Sequence, residues 1–203
     1  MMRLKSAATG AVVLAVAIGG LSLVTAQAGK ADDDKGQSEV QIGLKIAPVP
    51  LNLKGKNIAL VGRGSYLVNA VGDCDGCHTG DPEFAPGHNP FMGEPKQVNP
   101  ETYLAGGSTN FGPFIPRNLT PDLTGKPEGG ASFEEFKHTM RTGIDPDQAH
   151  PQFGPYLQVM PWPNFQNMSD YDLRAIYEYL SAIPCIEGDP GLPYPRPIGT
   201  RCQ

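Results

Sequence analysis

Three stretches of this chain carry a helical repeat of apolar positions; the rest is irregular. In the first, Leu60, Gly64, Leu67 and Val71 recur at i, i+4, i+7 and i+11, which predicts a helix over Lys56–Val71 with one apolar stripe. Gly62 and Gly64 each cost such a helix about 1 kcal/mol of propensity against alanine. A glycine on the buried stripe therefore points to another helix crossing closely there. In the second, Ser132-Phe133-Glu134-Glu135 forms a capping box, Phe133, Phe136 and Met140 share a face, and Gly143 stops the helix. In the third, Ser169 caps a helix to about Ala182, Asp170 and Asp172 suit its positive end, and Leu173, Ile176, Tyr177 and Leu180 form the stripe. Met168 and Leu173 are spaced as a hydrophobic staple, and Pro184 forbids continuation.

The 53 residues from Thr79 to Ala131, most of the stretch between the first and second helices, hold nine prolines and nine glycines. An unstructured loop this long is unusual inside a domain, so something other than its own ladders must order it. One helical turn is expected from Asn99, with Pro100 first. Strand signals are weak throughout, so the expected fold class is all-α.

The ends differ from the middle. Arg3 and Lys5 precede an uncharged run from Ala7 to Val24, and Ala26-Gln27-Ala28 fits a small-residue cleavage site. Residues 1–28 read as a secretory signal peptide, with an uncleaved membrane anchor as the plainer alternative. Residues 29–56 are polar and proline-spotted and read as a flexible arm. The domain proper is 57–184, and 185–203 is a Pro/Gly-rich tail.

The formal charge is −5, and loss of Arg3 and Lys5 leaves 14 basic against 21 acidic residues, or −7. No basic patch for nucleic acid exists, while an acidic surface can steer a basic partner.

Cys74-Asp75-Gly76-Cys77-His78 supplies the candidate chemistry. This C-x-x-C-H run is the attachment pattern of a c-type haem. Two thiols three residues apart reach the two vinyl groups of one macrocycle, and the adjacent imidazole meets the iron. Such attachment takes place outside the cytoplasm, in agreement with the leader. A single motif predicts a single covalent haem c. A buried haem would also order the long loop.

The other two cysteines, Cys185 and Cys202, lie in the tail, and in an oxidising compartment they are expected to pair. The second axial position is open to Met160, Met92 or one of His88, His138 and His150; Met140 and Met168 read as core. Met160 opens Met160-Pro161-Trp162-Pro163, whose prolines stiffen the backbone around a thioether, and it is the favoured ligand. The second ring nitrogen of His78 needs an acceptor, for which a carbonyl in Pro82–Pro90 is within reach.

With these residues in view, the chain resembles the class I c-type cytochromes, in particular the haem modules of bacterial cytochrome subunits that serve membrane dehydrogenases. The likeness runs from about 57 to 184. It rests on Gly62 to Val68, Cys74 to Thr79, Ala105-Gly106-Gly107, Asn118-Leu119-Thr120-Pro121-Asp122, Met160-Pro161-Trp162 and the Met168–Leu180 helix. It implies a class I cytochrome c fold, iron held by His78 and Met160, and Asn118 and Thr120 at a haem edge with Trp162 nearby. It implies a crossing of the first and last helices at Gly64 and Tyr177. The long loop after His78 and the two-cysteine tail depart from the family pattern.

The function expected is one-haem electron transfer rather than catalysis, with a dehydrogenase, an oxidase or another cytochrome as redox partner, in the periplasm or an equivalent compartment. The rival is a peroxidase-like or ligand-binding haem protein with a displaceable sixth ligand and His88 as distal acid or base. A redox dithiol or half a zinc site is a third reading of C-x-x-C.

Overall fold

The computed structural model of the chain describes residues 38–107, 111–145, 153–187 and 202. The leader at 1–28, the start of the arm, His150 and most of the tail lie outside the described residues. Those described are helical, with two isolated bridges, Phe84 with Val98 and Ile144 with Tyr156, and no extended strand.

Helix α1 spans residues 38–46, inside the segment expected to be a loose arm. That expectation is corrected for 38–56. Val40, Gly43, Leu44 and Ala47 repeat at i, i+3, i+4 and i+7, and this short stripe docks on α2, Ile58–Tyr66. The two backbones touch at a glycine pair: an ideal Cβ on Gly43 would lie 1.9 Å from the Gly62 carbonyl oxygen. The Ser65 hydroxyl donates to the Gly43 carbonyl at 2.7 Å, and Asn52 N–H donates to the Ala182 carbonyl at 2.8 Å.

Asn57 caps α2, accepting from the N–H groups of Ala59 and Leu60. The opposite side of α2 packs on α7, Asp170–Leu180, whose N-cap is Ser169 as the sequence predicts. Their closest approach is at Gly64, against Ala175 and Tyr179 rather than Tyr177. Tyr177 lies on another face of α7, where its hydroxyl donates to the Ala131 carbonyl and its ring meets Phe133 and Phe136. Arg63 joins the three helices by pairing with Glu39 of α1 and Asp172 of α7.

The first predicted helix does reach Val71, but its last turn, Leu67–Val71, is a π turn closed by Gly72 N–H on the Leu67 carbonyl. The wider turn rotates the stripe. Val71, expected inside, is exposed, and Val68 is wholly buried in its place. A left-handed Asp73 then redirects the chain into α3, Cys74–His78.

The long loop is ordered in two ways. Residues 84–98 fold back on themselves through Ala85 N–H to Gln97 O, Gln97 N–H to His88 O and a 3-10 turn at Pro90–Met92. Asn99 caps a turn rather than a helix, and Tyr103 and Leu104 behind it are fully buried. The second half, with a single turn α4 at Pro127–Gly130, lies against the core. Helix α5, Phe133–Thr142, has the full capping box between Ser132 and Glu135 and packs on α7 and on the short α6, Trp162–Phe165.

The core holds a polar triangle. The Tyr103 and Tyr179 hydroxyls are 2.7 Å apart, Tyr103 donates to Asn69 Oδ1 at 2.6 Å, and Asn69 Nδ2 donates to Tyr179 at 3.1 Å. Each of these buried groups has a partner, as a low-dielectric interior demands.

Candidate functional site

A cavity of about 440 Å³ opens between α3, the end of α2, α5, α7 and the loops at 111–119 and 154–161. Its floor is apolar, with Val68, Leu119, Phe136, Ile176 and Leu180. Around this floor the fold brings together Cys74, Cys77, His78 and Met160, although the long loop and α5 separate the first three from the last along the chain.

Local structure fixes the first three. The π turn and left-handed Asp73 start α3 in a new direction, and one helical turn brings both thiols and the imidazole to the same wall. His78 Nδ1 lies 2.8 Å from the Arg117 carbonyl oxygen and donates to it. The acceptor is therefore on the far arm of the long loop, not in Pro82–Pro90. This bond leaves Nε2 with the lone pair, the state of a metal-ligating imidazole. Gly106 N–H donates to the His78 carbonyl at 2.7 Å, and the ring side and main chain are thus both held.

The electrostatics favour neutral donors. Burial pushes the Cys74 thiol up to about 12, with the charges of Asp75 and Asp73 adding to it. Burial also raises Cys77, followed by Asp73 and Glu83. A redox dithiol depends on a lowered thiol pKa, so this environment opposes that reading. Burial lowers His78, against the pull of its bond to Arg117, and keeps the ring neutral.

Met160 and Met140 both line the cavity; Met140 is a buried residue of α5, as expected of core. Met92 is 76% exposed on the 3-10 turn and is not at the cavity. His88 and His138 are not at it either, so the distal acid or base of the rival reading is not brought there.

Asn118 and Thr120, expected at a haem edge, are buried and are not among the residues that line the cavity. Asn118 Nδ2 donates to the Ile186 carbonyl at 2.8 Å, and its Oδ1 accepts from Thr120 N–H and Oγ1. Ile186 N–H donates back to Thr120 Oγ1 at 3.2 Å. The pair clasps the C-terminal segment. That segment is itself cross-linked, since Cys185 and Cys202 form a disulfide with Cα atoms 5.7 Å apart. Trp162 is also off the cavity: it covers Gly143, leaving no room for a Cβ there, and stacks on Tyr156 at 6.3 Å.

Sequence reasoning missed Arg117. Its carbonyl holds His78, and its guanidinium donates to buried Asp145 at 2.6 Å, with both residues at the cavity wall. No sequence motif announces a carbonyl, which every residue carries.

Two thiols at i and i+3, a neutral imidazole and a thioether around an apolar cavity are the donor set of a covalently bound haem iron. The residues present fit that group.

No protein-family model matches the chain. It is 30% identical over 149 residues to the gluconate 2-dehydrogenase cytochrome c subunit of Pantoea cypripedii, covering 71% of this chain and 28% of that one. It is 34% identical over 143 residues to one of the nicotinate dehydrogenase subunits of Pseudomonas putida, covering 67% and 10%. It is 32% identical over 124 residues to the cytochrome c subunit of a quinone alcohol dehydrogenase of Gluconobacter oxydans, covering 60% and 21%. The chain thus spans little more than a quarter of the length of the curated relatives it matches, or less. It resembles cytochrome c subunits of dehydrogenases, as its motifs imply.

Proposed function

We propose that this chain, a relative of dehydrogenase cytochrome c subunits, is an exported single-haem electron carrier with a class I cytochrome c fold. Cys74 and Cys77 hold the haem as thioethers, and His78 and Met160 hold its iron. The observation that carries the reading is the convergence of these four residues on one apolar cavity, with His78 Nδ1 tied to the Arg117 carbonyl.

When bound, the haem supplies a one-electron couple between ferric and ferrous iron. The chain's part is to bind, orient and exclude water. The Arg117 carbonyl fixes the tautomer and rotation of His78, presenting Nε2. Pro161 and Pro163 stiffen the backbone beside Met160, which would help to hold its sulfur in place as an iron ligand. Val68, Leu119, Ile176 and Leu180 keep the surroundings dry.

The partner is a dehydrogenase that passes electrons to this chain, as the relatives' names imply. The leader read at residues 1–28 and the Cys185–Cys202 disulfide both support a periplasmic or equivalent oxidising location.

The test is production of the full chain with export and haem-attachment machinery, followed by a haem stain on a denaturing gel. A stained band that survives denaturation is expected, and its loss in Cys74→Ala/Cys77→Ala. Haem extractable by acid-acetone from the unaltered protein would overturn the reading.

A further inference from the structure

Asp75, between the two attachment cysteines, does something the attachment chemistry does not require. The two positions within C-x-x-C need only let the chain turn. Yet Asp75 is 1% exposed. Its Oδ2 accepts from Lys96 Nζ at 2.9 Å, and its Oδ1 is buried with no hydrogen-bond partner. Lys96 arrives from the self-folded loop at 84–98, with its side chain 48% exposed. A buried carboxylate with one orphaned oxygen, paired only to a half-exposed lysine, adds little to stability, and an uncharged residue would fill the position at lower cost.

The charge is felt widely. Burial is the main cause that raises Cys74, Cys77, the carboxyl of Glu83 and the phenols of Tyr103 and Tyr179, and the charge of Asp75 adds to each. Lys96 opposes it at Glu83. A charge that reaches both thiols reaches whatever those thiols hold.

We propose that the Asp75–Lys96 pair sets the reduction potential of the iron held at His78, with Asp75 stabilising the oxidised state and Lys96 limiting that effect. The inference rests on the haem reading above. Ferric iron carries one more positive charge than ferrous iron, and gaining one electron removes it. A fixed negative charge beside the attachment helix therefore disfavours reduction. The partly exposed Lys96 makes the effect adjustable from the surface, because a partner that covers or displaces it changes the iron's charge environment.

The test is redox titration of the haem-loaded full chain and two variants. Asp75→Asn keeps the shape and removes the charge. Its midpoint potential should rise, with the ferrous-to-ferric ratio at fixed applied potential increasing severalfold, because one unit of negative charge is removed from beside the attachment helix. Lys96→Gln should move the potential down. The axial-ligand absorption bands should be unchanged in both, since neither residue supplies a proposed iron ligand. The Asp75→Asn shift should persist in high salt, because a buried charge is poorly screened. Unchanged potentials, or shifts of the opposite sign, would overturn the proposal while leaving the haem reading intact. If Asp75→Asn fails to load haem, the sign of the Lys96→Gln shift decides alone. Failure of the unaltered chain to bind haem would remove the premise instead, and the two failures are thereby distinguished.

Discussion

Gly64→Ala tests the crossing on which the fold rests. In isolation the change should help, since alanine is about 1 kcal/mol better than glycine inside a helix. The structure reverses the sign. An ideal Cβ on Gly64 would sit 1.9 Å from the Ala175 carbonyl oxygen, 2.5 Å from its carbonyl carbon and 2.7 Å from Tyr179 Cβ. Carbon and oxygen come no closer than about 3.3 Å even in weak hydrogen bonds. None of the three atoms can rotate away, so α2 and α7 must separate by more than ~1 Å. A gap of that order forfeits up to about half of the dispersion energy across a contact. It also stretches the Arg63–Asp172 bond and the Asn69–Tyr179–Tyr103 triangle. Overpacking of this kind costs about 1–3 kcal/mol, and the upper part of that range applies because the obstacle is backbone. After the propensity gain, a net loss of about 1–2 kcal/mol remains. For a domain of this size that lowers Tm by roughly 2–8 °C. Guanidinium denaturation followed by circular dichroism should show a lower midpoint at unchanged slope. A variant as stable as the parent, or more stable, would refute the close approach of the first helix to the last.

Other outcomes follow from the same geometry. Met160→Ala should leave haem attached through the thiols but remove the red absorption band of sulfur-ligated ferric iron and lower the potential, because a thioether ligand favours ferrous iron; the same loss in Met92→Ala and not in Met160→Ala would transfer the assignment to Met92. Replacing Cys185 and Cys202 together with serine should cost about 3 kcal/mol in the chain-entropy model for their 17-residue separation, read as a lower denaturation midpoint, with no change in the haem spectrum. Acid should weaken the fold through Glu135 and Asp170. Both carboxyls are held below their usual range, Glu135 by the Ser132 N–H and hydroxyl, Asp170 by Arg141 and Lys137. A folded pKa below the unfolded one means stability that is full above the unfolded carboxylate range and lost as pH falls through the folded value. Denaturation midpoints should therefore fall on acidification below about pH 4.5, and Glu135→Gln should flatten part of that dependence.

What the sequence discloses is uneven, for physical reasons. The caps of α5 and α7 are readable because each is a side chain bonding its own neighbours within three residues: Ser132 with Glu135, Ser169 with Asp172. Gly64 is readable because a glycine on an apolar stripe gives up helix propensity and buried area at once, which makes sense only where a side chain would not fit. The π turn at Leu67–Val71 is not, since it adds no residue type of its own and only shifts which valine turns inward. Helix α1 hides because its stripe is short and two of its residues are small. At the site, Cys74, Cys77 and His78 are legible from their spacing, and all three reach the cavity with Met160. Asn118 and Thr120 share a recognisable segment, but a segment pattern does not say which way a side chain points. Their real partner, Ile186, lies 66–68 residues away and bonds through its backbone, which carries no sequence signal.

The Asn118–Ile186 clasp bears on the order in which the protein is completed. If the chain is exported N-terminus first, as proposed, Cys74, Cys77 and His78 reach the outside before Ile186 and Cys202. Until they do, the bonds from Asn118 and Thr120 to Ile186 are not made, and the segment that carries the Arg117 carbonyl keeps only its other ties, such as Leu119 N–H to the Leu104 carbonyl. On the proposed haem reading, the attachment residues would then be loaded while this side of the cavity wall is less tightly held. The Ile186 bonds and the Cys185–Cys202 bridge would then be the last ties made to that wall. A chain truncated after Pro184 would lack both the clasp and the bridge, and the Arg117 side of its cavity should be held less tightly.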